Sequence, residues 1–317
     1  MRILYLGSGE FGIDCLNSLV GSDNELAFIV TQPPNPAGRG QKPRPTPVAK
    51  WAKEHSIQYT ETDNVNTPQM IEKIAGFAPD LIVVIAFGQK IGSDLIKLPP
   101  KAAINVHASL LPKYRGAAPI NWAIINGENQ TGISIITLAE KMDAGQRIAQ
   151  AETDIEQDEN AGQLHDKLAK LAAPLLIKAI AKIADGSAVY TEQEHSMATL
   201  APKLKKADGL LDFNEPAQAL VRRINGLWPW PQASACYLNR KTGKSLRLSI
   251  AKAKAIEVER RSDLSVGTFD ENLKVICSTG ALEILQLKPA GGKLLEFKDF
   301  VNGQHCAPGD TLEKITS

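Results

Sequence analysis

Seven consecutive apolar residues, Leu81-Ile-Val-Val-Ile-Ala-Phe87, constrain this chain more than any other feature. The run is far short of the roughly 18 apolar residues that a membrane-spanning helix needs, and is the length of a strand. It does not alternate, so both of its faces need apolar cover. That is the habit of a parallel sheet with helices on each side. The sequence around it supplies the rest of such a sheet. Strand-like runs at Arg2–Leu6, Glu25–Thr31, Asp80–Phe87, Ala102–His107 and Gly132–Leu138 are interleaved with helical patterns near Phe11–Val20, Thr46–His55 and Thr67–Ala78. Thr67-Pro68 reads as a helix cap followed by proline at the first helical position. A longer helix is expected over about Ala161–Ala184. It carries Leu164, Leu168, Leu171, Leu175 and Ile183 near helical spacing, and Pro174 should kink or split it before the stop at Asp185-Gly186.

Beyond about Gly209 the texture changes. Short strand-like runs (Ala233–Leu238, Ser245–Ala251, Gly267–Phe269, Leu273–Ser278, Ala281–Leu287) are separated by turn signals at Lys241-Thr-Gly243, Ser278-Thr-Gly280 and Ala290-Gly-Gly292, the pattern of a small β-barrel. The expected fold class is therefore α/β. A Rossmann-like open, parallel-rich sheet with helices on both faces is expected over residues 1–188. A polar connector follows over 189–208, then a smaller OB-like β-barrel over 209–317.

A net charge of +1 hides an asymmetry: residues 201–317 hold 18 Lys/Arg against 13 Asp/Glu, and residues 1–200 hold 18 against 22. The stretch Arg240–Arg261 is the most basic, including Lys244, Arg247 and Lys252. Such a barrel suits a polyanion such as an oligonucleotide; a solvated charged face is the alternative that charge alone leaves open. A hydrophobic fraction of 43% excludes a disordered chain. Cys15, Cys236, Cys277 and Cys306 show no CxxC spacing, which argues against a disulfide framework or structural zinc and fits a reducing compartment. Met1-Arg-Ile-Leu-Tyr-Leu-Gly7 runs directly into a strand pattern without signal- or transit-peptide character, so a cytoplasmic protein with no membrane association is expected.

Three residues stand out chemically. On a strand, Asn105, His107 and Ser109 share one face. An amide and an imidazole buried there need either structural partners or a site to serve. The loop Ala139–Gly145 then brings Asp143, 36 positions after His107. Amide, imidazole and carboxylate are an oxyanion donor, an acid or electrostatic partner, and a base or orienting group, the three roles of acyl transfer to an amine. Gly7-Ser-Gly9-Glu-Phe-Gly12 has the outline of a dinucleotide fingerprint, but no acid closes the second strand, which ends Val30-Thr31-Gln32-Pro33. A tight strand-to-helix turn accounts for those glycines. Pro33–Pro47 carries Arg39, Lys42 and Arg44 with no acid among them, and its prolines and glycines should keep it out of helix or strand. It reads as a phosphate-gripping loop or as an incidentally charged surface loop.

Asn105-x-His107-x-Ser-Leu-Leu-Pro112 with a later Asp143-x-Gly145 resembles the formyltransferases that use 10-formyltetrahydrofolate. Thr31-Gln32-Pro33, Pro36-Ala-Gly-Arg-Gly40, Arg115-Gly-Ala-Ala-Pro-Ile120 and Pro229-Trp-Pro231 are similar to the methionyl-tRNA branch, and the likeness runs in order over essentially the whole chain. The resemblance implies catalysis by Asn105, His107 and Asp143, and folate contact by Ser109, Leu110, Leu111 and Pro112. It also implies a pterin slot lined by Ile85, Ala86, Phe87 and Gly88, and tRNA contact by Arg39, Lys42 and Arg44, with Lys244, Arg247 and Lys252 as phosphate partners on the barrel. The partner implied is initiator methionyl-tRNA. The mechanism implied is direct attack by its amine on the formyl carbon through an Asn/His-stabilised tetrahedral intermediate, with no metal, in a monomer. A sugar-amine or nucleotide-amine formyltransferase, or a formyltetrahydrofolate hydrolase, with the same trio is the alternative. The chain departs from the family pattern at Asn225 and Trp228, where Arg and Asn are usual.

Overall fold

The apolar run becomes a central strand. In the computed structural model, which describes residues 1–37, 42–258 and 264–315, the chain up to Ala201 forms strands β1 (Arg2–Gly7), β2 (Glu25–Thr31), β3 (Asn35–Ala37), β4 (Lys42–Arg44), β5 (Tyr59–Glu61), β6 (Leu81–Ile85), β7 (Ala102–His107), β8 (Arg115–Gly116), β9 (Gln130–Thr137), β10 (Arg147–Asp154) and β11 (Leu200–Ala201). The main sheet is ordered β10-β9-β7-β6-β1-β2-β5. Its β5, β2, β1, β6 and β7 are parallel, and β9 runs antiparallel to both β7 and β10. Every residue of β6 is buried, as a strand covered on both faces requires.

Helices α1 (Ile13–Val20), α2 (Pro47–Glu54), α3 (Pro68–Ala75), α4 (Ser93–Lys97), α5 (Pro119–Ile125) and α6 (Ala161–Asp185) follow in chain order. Thr46 and Thr67 cap α2 and α3, their hydroxyls accepting from the Ala49 and Met70 amides, with proline next in each case. The chain winds from β1 out to β2 and β5, then back across to β6 and β7. The order therefore reverses between β1 and β6, where Gly7 lies opposite Ile85. Open α/β sheets take their ligands at such a switch point.

Contacts divide the chain into two units. The first comprises Met1–Pro119, Gln130–Asp154 and His165–Pro202, and the second Ile120–Asn129, Ile155–Leu164 and Lys203–Ser317. The second unit holds α7 (Ala217–Leu227) and α8 (Phe297–Gln304) with β12 (Ala233–Leu238), β13 (Ser245–Ile256), β14 (Val275–Ile276), β15 (Ala281–Pro289), β16 (Leu295–Glu296) and β17 (Thr311–Glu313). Its sheet runs β14-β15-β13-β12-β17, with β16 on β15. The segment Gly267–Phe269 forms isolated bridges instead of the expected strand. Thr268 bridges to Thr311 and Phe269 to Val275, which joins β17 back towards β14 and leaves a nearly closed barrel. Leu220, Ile224, Tyr237, Leu248, Phe269 and Leu282 are in its core.

Three further expectations need correction, and three of the longer elements were not expected at all. Pro174 does not split α6. It is exposed, as is Lys170, whose carbonyl it leaves without an amide donor, so water can serve that carbonyl. The buried stripe is Leu164, Leu168, Ala172, Leu176, Ile180 and Ile183; Leu171 and Leu175 lie beside it, half-buried. Residues 35–37 and 42–44 pair as a short antiparallel ribbon despite their prolines. Pro36 stands opposite Pro43, so the two residues without an N–H face each other. Strand β10 and helices α7 and α8 went unforeseen. β10 buries no residue fully, and its inner face carries only the small residues Ala149, Ala151 and Thr153, so its apolar signal is weak. Among the described residues no helix is long and apolar enough to cross a membrane.

Candidate active site

Because β9 is antiparallel to β7, with Thr137 opposite Ile104, the loop after β9 leaves at the level of Ile104. It turns back over the sheet face that carries Asn105 and His107. Asp143 thereby reaches both: its Oδ1 accepts from Asn105 Nδ2 at 3.4 Å, and its Oδ2 faces His107 Nδ1 at 3.6 Å. The Gly116 amide donates to the same Oδ2 at 2.8 Å. The His107 and Asp143 side chains are only 6% and 11% exposed, so their charges act at low dielectric. The amide, imidazole and carboxylate singled out from sequence therefore meet in one place.

Main-chain groups decide how the trio can act, and these were invisible to sequence. His107 Nε2 lies 2.8 Å from the Tyr114 carbonyl. A carbonyl only accepts, so Nε2 carries the hydrogen and Nδ1 is the nitrogen that faces Asp143. Tyr114 holds that carbonyl in place with a left-handed backbone at φ 62°. Gly116, at φ 125°, brings its amide to Asp143. A Cβ there would lie 2.6 Å from the Ala201 carbonyl, so only glycine fits.

The stretch 191–201, expected as a connector, braces these groups. Thr199 accepts from the Tyr114 amide through its hydroxyl at 2.9 Å and from the Arg115 amide through its carbonyl at 2.9 Å. Strand β11 pairs in parallel with β8. Gln193, 4% exposed, donates to the Asp143 carbonyl at 2.8 Å and the Gly145 carbonyl at 2.7 Å. No composition or spacing signal marked Gln193; it is one polar residue in a polar stretch.

The expected ligand residues are placed unevenly. Ser109 is sealed, with its hydroxyl donating to the Lys113 carbonyl at 2.6 Å and its carbonyl accepting from Ser134 at 2.6 Å. Leu111 is 1% exposed, and its carbonyl accepts from Gln150 Nε2. Leu110 and Pro112 are half-buried and so present surface. At the end of β6, Ile85 and Phe87 are core residues, whereas Ala86 and Gly88 are exposed, both with positive φ. The Phe87 carbonyl is tied to Gln32 Nε2 at 2.9 Å and Ser8 Oγ at 3.3 Å. The glycine turn after β1 is filled by Tyr5: a Cβ on Gly12 would overlap the Tyr5 hydroxyl, and one on Gly7 its ring. A buried phenol explains these glycines without a dinucleotide.

Arg39 lies outside the described residues; Lys42 falls within β4 and Arg44 is exposed at its end. On the barrel, Lys244, Arg247 and Lys252 are all exposed. A register shift around Lys252 resets the alternation along β13. Leu248 and Ile250 point inward before it and Ala253 after it, which leaves Arg247, Lys252 and Lys254 on the outer face together.

Two family descriptions match in chain order: "Formyl transferase" over residues 1–180 and "Formyl transferase, C-terminal domain" over residues 203–305. A methionyl-tRNA formyltransferase of Citrifermentans bemidjiense is 40% identical over 314 residues, covering 99% of this chain and 97% of that protein. Two solved structures share the fold. HypX of Aquifex aeolicus in complex with tetrahydrofolic acid has a TM-score of 0.60 at 17% identity over 95% of this chain, which spans 47% of that longer protein. An N-formyltransferase of Helicobacter canadensis in complex with folinic acid and dTDP-3-aminofucose has a TM-score of 0.64 at 14% identity, covering 90% of this chain and 98% of that one. End-to-end similarity at this identity, with both domain families in order around a converged Asn-His-Asp set, places the chain in the methionyl-tRNA formyltransferase family.

Proposed function

We propose that this protein transfers the formyl group of 10-formyltetrahydrofolate to the α-amine of initiator methionyl-tRNA, acting as a monomer in the cytoplasm. The convergence of Asn105, His107 and Asp143 on one sheet face carries the reading. The neutral amine attacks the formyl carbon, and negative charge gathers on the formyl oxygen. The Asn105 amide, which has two N–H groups, and His107 stabilise that charge. The Asp143 carboxylate, steadied by the Gly116 amide, takes the amine proton directly or through a water. The bond to the folate nitrogen then breaks, and that nitrogen leaves with the proton Asp143 took up, which restores the carboxylate. The formyl donor is already activated, so the reaction asks for no metal. The exposed turn at Ala86 and Gly88 and the half-buried Leu110 and Pro112 suit a flat heteroaromatic ring, with Ser109 and Leu111 shaping the loop from beneath. Arg39, Lys42 and Arg44 grip the acceptor stem, and Lys244, Arg247 and Lys252 bind phosphates.

The test is incubation with 10-formyltetrahydrofolate and methionyl-initiator tRNA, beside a methionylated elongator tRNA and a nucleotide-linked amino sugar. Formylation of the initiator alone is the expected outcome. Formylation of the sugar, or formate release without transfer, would overturn the reading in favour of its relatives.

A further inference from the structure

Asp143 holds a left-handed backbone, φ 53°, although it is not glycine. Aspartate tolerates this conformation better than most residues, but the loop still needs partners to hold its carboxylate at Asn105 and His107. We propose that Gln193 is the positioning residue that locks the Asp143 loop; the proposal rests on the formyl-transfer reading. Gln193 is 4% exposed, and every polar end of its side chain is engaged. Its amide nitrogen donates to two carbonyls of the loop, Asp143 at 2.8 Å and Gly145 at 2.7 Å, one on each side of Ala144. Its Oε1 accepts from Arg115 Nε at 3.2 Å and Nη2 at 2.7 Å. Carbonyls only accept and a guanidinium only donates, so the partners fix which way the amide points. Arg115 is itself held by His195, whose Nδ1 accepts from its Nη2 at 2.9 Å. Gln193 thus ties the Asp143 loop to the residue just before Gly116, whose amide grips the Asp143 carboxylate. Both the backbone and the carboxylate of Asp143 are fixed from one point.

Gln193→Glu separates this role from simple packing. The carboxylate keeps the shape and strengthens the pair with Arg115, but it cannot donate to the two loop carbonyls and repels them. A positioning role predicts that kcat for formyl transfer falls about 10- to 100-fold, since misplacement of a reacting group by about 1 Å costs on this order. KM for 10-formyltetrahydrofolate should stay within about twofold, the melting temperature should fall because two buried carbonyls lose their donor, and the Gly116 amide should exchange hydrogen faster. Gln193→Met, which removes donor and acceptor alike, should also lose kcat and stands in if the glutamate variant does not fold. A Gln193→Glu enzyme with kcat within twofold of the parent, or an unchanged Gly116 exchange rate, would overturn the proposal. If the parent itself does not formylate methionyl-tRNA, the functional reading fails instead. The Gly116 exchange comparison, which needs no substrate, still decides the positioning role.

Discussion

His107 shows how a single side chain is committed before any substrate arrives. Its Nε2–H is spent on the Tyr114 carbonyl, which turns Nδ1 towards Asp143. Replacing His107 by alanine or Asp143 by asparagine should lower kcat by about 10²- to 10⁴-fold, the usual worth of positioned acid–base groups, with smaller effects on KM. Asn105→Ala, which deletes one oxyanion donor, should cost about 10²- to 10³-fold. Steady-state kinetics with initiator methionyl-tRNA checks both, and near-normal turnover would remove that residue from the mechanism. Tyr5 offers the opposite kind of test. Its ring fills the glycine turn, its hydroxyl is buried without a hydrogen-bond partner among the described residues, and burial holds its pKa well above the usual phenol value. Tyr5→Phe removes only that unsatisfied group, so the melting temperature should stay level or rise by up to a few degrees. A marked fall would show that the hydroxyl has a partner after all.

Among the elements, the barrel's seam depends on one carboxylate. Asp310, 2% exposed and just before β17, accepts from the Tyr237 hydroxyl at 2.6 Å, the Arg240 amide at 2.8 Å and the Ala307 amide at 3.0 Å. Burial works to raise its pKa, but these donors outweigh it and hold the value below the ordinary carboxylate range. A depressed folded pKa means the stabilisation is complete above the unfolded value of about 4 and is lost as pH falls through the folded value. The barrel should therefore weaken on acidification below about pH 4. Asp310→Asn turns an acceptor into a donor facing donors, which should cost about 1–3 kcal/mol at neutral pH and flatten the acid limb of a melting-temperature profile. An unchanged melting temperature at pH 7 would show that the seam does not depend on this group. The braced stretch 191–201 makes the same point for the first unit: a segment with little regular structure holds Tyr114, Arg115 and Asp143 through individual hydrogen bonds.

Across the whole molecule, charge is the organising quantity. A net of +1 conceals a basic C-terminal part, and the bulged β13 gathers Arg247, Lys252 and Lys254 on one outer face. Affinity for tRNA should fall steeply with salt as phosphate counterions are released. Charge reversal at Lys244, Arg247 or Lys252 should weaken binding and reduce the slope of log K against log salt by about one for each phosphate left without its cation. Filter binding over a salt series measures it, and an unaltered slope would move the polyanion site elsewhere.

Residue types and their spacing were enough to reveal strands apolar on both faces, the threonine-proline helix starts, the change of texture near residue 209 and the Asn105, His107 and Asp143 set, because each leaves a mark in side-chain chemistry. Tertiary structure alone decided what those marks mean together. Strand β10 carries only a faint apolar stripe, because its inner face holds the small residues Ala149 and Ala151. The Tyr114 carbonyl and the Gly116 amide are main-chain groups that every residue has, so no composition could single them out. Gln193 matters only because the fold brings residues 115, 143 and 145 around it, and that meeting depends on long-range pairing that no local pattern encodes.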